Sequence, residues 1–179
     1  MKFITSDLHF NHEAILKFCK ETRPFQTTQE MNEAIIKEWN FKVRPKDEIY
    51  HLGDFMFGKF DNVYKETCRV LEQLQGKKIF IKGNHDTSQT VKAFKEFGEV
   101  YDYLEVKHEK QFIIMSHYPL ACWNKARYNS LHAFGHCHGS FKGIDKSVDV
   151  GYDAQGKILT LEEFIEQATA KDKEILDGH

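Results

Sequence analysis

Asp7, His9, Asp54, Asn84, His85, His117, His136 and His138 are the side chains of this sequence whose types and placement suit chemistry. Each follows a short apolar run. "KFITS" leads into Asp7 and His9, and "EIYHL" into Gly53 and Asp54. "KIFIK" leads into Gly83, Asn84, His85 and Asp86, "QFIIMS" into His117, and "LHAFG" into His136 and His138. Carboxylate oxygen and neutral imidazole bind divalent first-row metals, and the mixture favours Mn, Fe or Zn over an all-oxygen site for Mg or Ca. Asp7, His9, Asp54, His117, His136 and His138, with the Asn84 amide, exceed what one ion can use. Two ions sharing a carboxylate would use them all. Asp54 is the natural bridge, because a carboxylate has two oxygens and lone pairs to spare. Two dications neutralised only by Asp7 and Asp54 keep a surplus of about two positive charges, which attracts phosphate oxygens and acidifies bound water. A purely structural site would use thiolates or more carboxylates and close its coordination.

The elements that must position these groups alternate. The pattern predicts a strand over Lys2–Ser6 and a helix around residues 12–20, broken by "RPF" at Arg23–Phe25. A second helix is capped by Thr28, with Met31, Ala34, Ile35, Ile36 and Trp39 facing in. A strand over Glu48–Leu52 follows, then a helix capped by Asp61, running through Leu74 and ended by Gly76. Lys78–Lys82 is the third strand, and a helix near Ser88–Phe97 comes after it. This rhythm favours parallel pairing, and the carboxyl ends of such strands converge on one crevice. From "VYDYLEVKH" onward the pieces are strand-like, until a final amphipathic helix from about Leu161 with Phe164 and Ile165 inward. The closing "LDGH" is expected to fray.

A chain of 179 residues with 41% apolar content and 15 Phe fills the core of one domain, taken as residues 1–179. A net charge of −2 argues against holding long nucleic acid by bulk electrostatics. Cys19, Cys68, Cys122 and Cys137 form no C-x-x-C pair, which reads as a reducing compartment. "MKFITSDLHF" lacks the apolar run of a signal peptide, and no segment approaches the roughly 18 apolar residues of a membrane span. The expected location is the cytoplasm, with no membrane partner.

"DLH", "GD", "GNHD", the histidine after "QFIIMS" and "GHCH", in this order from Asp7 to His138, resemble the motif set of the calcineurin-like metallophosphoesterases. The likeness is to a small, cap-less bacterial or phage-type member. It implies an α/β fold, a four-layer α/β/β/α sandwich of two mixed sheets flanked by helices. It implies that Asp7, His9 and His138 hold one metal, that Asn84, His117 and His136 hold the other, and that Asp54 bridges. It also implies in-line attack on phosphorus by a metal-bridging hydroxide, with His85 as general acid.

Other residues keep two readings each. His12 is a phosphate contact or a surface histidine opening a helix. Arg23 and Arg127 offer the bidentate fork of a phosphate clamp, or are solvated or salt-bridged. Tyr118, Trp123 and Tyr128 stack on a substrate ring or pack their loop. Asp149 or Asp153 supports a ligand histidine, or the segment is a turn about Gly151. Asp86 orients His85 or a neighbouring loop, and Gly83 serves a tight turn. His51 and His132 belong to the core or a strand edge, and His108 and His179 to the surface. The expected function is a phosphoesterase with two divalent ions, acting on a small phosphodiester such as a cyclic or short nucleotide. The alternatives are a phosphomonoesterase on nucleotides or phosphoproteins, and a non-catalytic metal-binding scaffold of the same fold.

Overall fold

Parallel strands buried on both faces send successive apolar residues into two different cores. In the computed structural model, which describes residues 1–58 and 60–171, this splits the first sheet's side chains. Phe3, Ile49 and Phe80 join a core beneath the helices, while Ile4, Tyr50, Ile79 and Ile81 join a core between two sheets. The first sheet has the order β4-β3-β2-β1-β9, formed by β1 (Lys2–Thr5), β2 (Glu48–His51), β3 (Lys77–Ile81), β4 (Gly98–Tyr101) and β9 (Leu159–Thr160). β1 to β4 are parallel, and β9 is antiparallel to β1. The second sheet, β5-β6-β7-β8, consists of β5 (Tyr103–His108), β6 (Gln111–Ser116), β7 (Leu131–Phe134) and β8 (Ser147–Asp149). Its first pair is antiparallel and the rest parallel, so both sheets are mixed. Ile113, Met115, Leu131, Ala133 and Val148 face the first sheet across the shared core.

Helices α1 (Ile15–Phe18), α2 (Thr28–Lys42), α3 (Phe60–Leu71) and α4 (Ser88–Phe97) lie on the first half of the chain. α2 buries Met31, Ile35 and Trp39, one stripe at a spacing of four residues. α5 (Tyr152–Gln155) is a single turn, and α6 (Leu161–Thr169) puts Phe164 and Ala168 into the intersheet core. A reciprocal cap between Thr160 and Glu163 starts α6. Over the outer face of the second sheet lies segment 118–130, with a 3-10 turn at Ala126–Tyr128. Its Trp123 packs on the buried His132 at 5.1 Å between ring centres. The layers are those expected, two mixed sheets flanked by helices. No helix among the described residues is long and apolar enough to cross a membrane.

Some local expectations shift. Thr27, not Thr28, caps α2, accepting from the Glu30 N–H. The helix expected over 12–20 is only α1, because the chain turns back after it and carries Arg23 into the interior. Asp61 stands inside α3 rather than ahead of it, and its side chain lies outside the described residues. The closing "LDGH", His179 included, also lies outside them. His51 and His132 are buried as expected, and His108 is half-buried.

Candidate metal centre

The pairing of β1 with β2 continues past both strands and sets the first part of the site. Asp7 N–H donates to Gly53 O at 3.0 Å, His9 N–H to Asp54 O at 3.0 Å, and Phe10 N–H to Phe55 O at 2.8 Å. This extension brings His9 and Asp54 side by side at the carboxyl ends of their strands. Beneath Asp54, Phe55, Phe80 and Phe94 form an aromatic floor, with Phe80 and Phe94 stacked at 4.1 Å. Such pairs add about 0.5–1.5 kcal/mol each beyond their buried area. Asp7, His9, Asp54, His136 and His138 all have positive φ, between 47° and 68°. Non-glycine residues in this region cost of order 1–3 kcal/mol each and persist where the surroundings over-determine them.

Each carboxylate gives one oxygen to a backbone amide and turns the other inward. The His136 N–H donates to Asp7 Oδ2 at 2.9 Å, and the His85 N–H to Asp54 Oδ1 at 2.8 Å. Asp54 Oδ2 then stands 3.7 Å from His9 Nε2 and 3.4 Å from His117 Nε2. Oδ2 is therefore the Asp54 oxygen turned toward both histidines. His117 Nδ1–H donates to Leu52 O at 2.7 Å, so its Nε2 is the bare nitrogen of the neutral ring. That nitrogen faces Asn84 Oδ1 at 2.9 Å as well as Asp54 Oδ2, and His136 Nδ1 lies 2.9 Å from the same Asn84 oxygen. His138 donates from Nδ1 to Asp153 Oδ2 at 2.7 Å, which frees its Nε2. Asp7, His9 and His138 offer ligand atoms within 4.8 Å of one another, and so do Asp54, His117 and His136, and Cys19, His138 and Asp153.

Two observations test whether this donor set suits cations. Among the described residues, buried Asp7 Oδ1 and His9 Nε2 lack hydrogen-bond partners and lie 4.0 Å apart. Around His117 Nε2, the neighbouring polar atoms are acceptors. Converging lone pairs need a proton or a cation between them. Burial drives Asp7 up to about 7, against His117 and His138, and drives His9 down to about 2. For Asp54, the upward push of burial loses to the hydrogen bond and charge of His117, and the carboxyl settles at about 2. Burial lowers His117, but Asp54 reverses it and the ring is raised. His138 is likewise raised by Asp153 against burial. Divalent ions would take the places of these protons. The donor set fits divalent cations, and the Asn84 oxygen lies beside two of its histidines.

Supporting residues sort more sharply than their sequence did. Asp86 accepts from the Gly83, Asp54 and Phe55 amides at 2.8, 2.9 and 3.1 Å, so it anchors the Asp54 turn and not the His85 ring. Burial raises it to about 6 despite those donors. Asp149 holds the Gly139 and Gly151 amides, which is the turn reading, while Asp153 is the partner of a histidine. Gly83 serves close approach: a Cβ there would lie 2.1 Å from Asp54 Oδ1. Gly83→Ala is expected to displace Asp54 and weaken divalent-metal binding about tenfold or more. Titration of the metal-free variant with Mn checks this.

Arg23 is a correction. It is fully buried and its donors are engaged within the protein, so it is no phosphate clamp. Nε and Nη2 bind Asp153 at 2.8 and 2.9 Å, while Nη1 and Nη2 bind Leu8 O and Asp7 O at 2.8 and 2.6 Å. The salt-bridge reading holds, in a buried form. Arg127 is exposed on the 3-10 turn. His12 sits at the rim, its Nδ1 3.1 Å from His9 Nδ1 and its ring stacked on Phe57 at 4.0 Å. His85 is 41% exposed, with Nε2 4.0 Å from Asp54 Oδ2. Tyr118 lies 4.6 Å from the His136 ring. Phe57 was overlooked in the sequence. Its only signal was an aromatic residue three places after Asp54.

The profile of the calcineurin-like phosphoesterase family matches residues 3–179. An uncharacterized protein of Methanocaldococcus jannaschii is 41% identical over 112 residues, which cover 63% of this chain and 56% of that protein. The matched segment thus spans little more than half of the relative. A solved structure of a protein of unknown function from Aquifex aeolicus superposes with a TM-score of 0.71 at 26% identity, covering 93% of this chain and 98% of that one.

Proposed function

Since the chain belongs to the calcineurin-like phosphoesterases, we propose that it hydrolyses a small phosphodiester, such as a cyclic or short nucleotide, in a site that holds two divalent ions of Mn, Fe or Zn. Asp7, His9 and His138 would hold one ion, Asn84, His117 and His136 the other, and Asp54 would lie between them. The observation that carries this reading is the meeting of lone pairs at the site, with buried Asp7 Oδ1 and His9 Nε2 left without partners. When bound, the ions would supply positive charge to phosphoryl oxygens and acidify a water.

The chain's own residues supply the rest. The oxygen of a water bonds to phosphorus in line with the departing group. The P–O bond to that group breaks, and its electron pair goes to the departing oxygen. His85, exposed beside Asp54, protonates that oxygen, while the attacking water's proton passes to solvent. Arg23 and Asp153 keep Asp7 and His138 in position. Aromatic side chains on two flanks, Tyr118 and Phe57, support an ester with two arms over a monoester.

The test uses protein loaded with Mn and a pair of substrates, bis-p-nitrophenyl phosphate and p-nitrophenyl phosphate. Turnover of the diester with little of the monoester is expected. The reverse would favour the phosphatase, and no turnover of either would favour a scaffold. His85→Ala is expected to lower kcat/KM at least about a hundredfold for a nucleoside leaving group, and far less for p-nitrophenolate, which departs without a proton. Equal losses on both esters, with metal content held, would remove His85 from the role of acid.

A further inference from the structure

Phe57 is placed by backbone pairing, its N–H donating to Phe10 O at 2.8 Å beside the Phe10–Met56 bridge. The rim next to it is fixed by two hydrogen bonds between Asn11 and Asn32. His12 stacks on Phe57, the two rings inclined by only 18°. The His85 ring meets Phe57 edge to face at 5.8 Å. Phe57 nevertheless keeps 41% of its surface exposed. That surface borders an open depression of about 540 Å³, also lined by Asn11, His12, Glu13, Ala14, Lys17 and Gly58. Phe57 is one of several large apolar side chains left exposed, and its ring meets that of His85.

The position relative to His85 gives this ring a direction. A general acid must touch the departing oxygen. The departing alcohol therefore lies on the His85 side, where Phe57 stands. Tyr118 packs against His117 and His136 and would border the arm that stays on phosphorus. We infer that the Phe57 flank is the leaving-group pocket, and that it selects an alcohol carrying a flat aromatic or heteroaromatic ring. This assignment rests on the hydrolase reading above. It makes Phe57 a specificity-determining residue and separates two ends of the substrate.

The experiment compares two methyl phosphate diesters whose leaving groups are matched in acidity, one 4-chlorophenyl and the other hexafluoroisopropyl. Matching removes the chemical bias and leaves recognition. The wild-type protein is expected to prefer the aryl ester in kcat/KM by about tenfold, the scale of one ring stacking on an aromatic side chain. Phe57→Ala should reduce that ratio to near one, and Phe57→Tyr should keep it. Tyr118→Ala should leave the ratio as it is and lower the rate when the retained methyl group is exchanged for an aryl group. A ratio that Phe57→Ala does not move, even with both rates reduced, would overturn the assignment while leaving the hydrolase reading in place. Failure of the wild-type protein to cleave either diester would overturn both.

Discussion

Asp54→Asn is expected to lower kcat/KM for a phosphodiester by about a thousandfold or more, roughly 4 kcal/mol of transition-state stabilisation. The geometry dictates how the amide would sit. The His85 N–H needs an acceptor at the Oδ1 position, so the amide oxygen takes that place. The NH2 group then replaces Oδ2 and points at His9 and His117. An acceptor shared by both ion positions becomes a donor. The same donor satisfies the lone pair of His117 Nε2, so the metal-free variant should melt no lower than the metal-free wild-type protein. Kinetics with and without added Mn, beside calorimetric melting, reads both effects. Turnover within tenfold of wild type would show that Asp54 is not shared by the ions.

Arg23→Ala should be the most destabilising of the substitutions considered. It leaves the Asp153 carboxylate buried beside His138 and strips hydrogen bonds from the Asp7 and Leu8 carbonyls. Breaking a buried pair on one side costs about 3–5 kcal/mol. For a chain of this size that lowers Tm by roughly 6–20 °C. Arg23→Lys should recover little, since an ammonium lacks the fork that reaches a carboxylate and two carbonyls together. Acid should act on the same brace. Burial alone would raise Asp153, but His138, Arg23 and Thr22 overcome it and hold the carboxyl below its ordinary 3.8. A folded pKa below the unfolded one contributes stability above that ordinary value, and the contribution is lost as pH falls beneath it. In metal-free protein, the loss of Tm on acidification below about pH 4 should be shallower for Asp153→Asn than for wild type. Equal slopes would mean that the brace does not report on Asp153.

Much of this arrangement was legible because polar residues at strand ends have few structural reasons to recur. Asp7, Asp54, Asn84, His117 and His136 each follow a strand, and parallel strands bring such ends together. α4 matched its expected range, since Thr87 and the break at Gly98 bracket it in the sequence. What stayed hidden depended on partners distant in the chain. Arg23 looked like any arginine beside a proline, and nothing local says that Asp153 will meet it across 130 residues. Asp86 was visible as a neighbour of His85, yet its partners are backbone amides, which every sequence has. Phe57 was hidden for another reason. An exposed aromatic residue carries no pattern, and its value comes only from the rings it meets. The choice of Thr27 over Thr28 as a cap turned on one residue of helix register.

The proposed hydrolysis needs two cations held by Asp7, His9, Asp54, Asn84, His117, His136 and His138. Anomalous diffraction at the Mn edge from crystals of Mn-reconstituted protein reads this directly. Two peaks are predicted, one among Asp7, His9 and His138 and one among Asn84, His117 and His136, with Asp54 Oδ2 between them. A peak beside Cys19 and Asp153 in place of these, or no peak at all at full Mn loading, would contradict it.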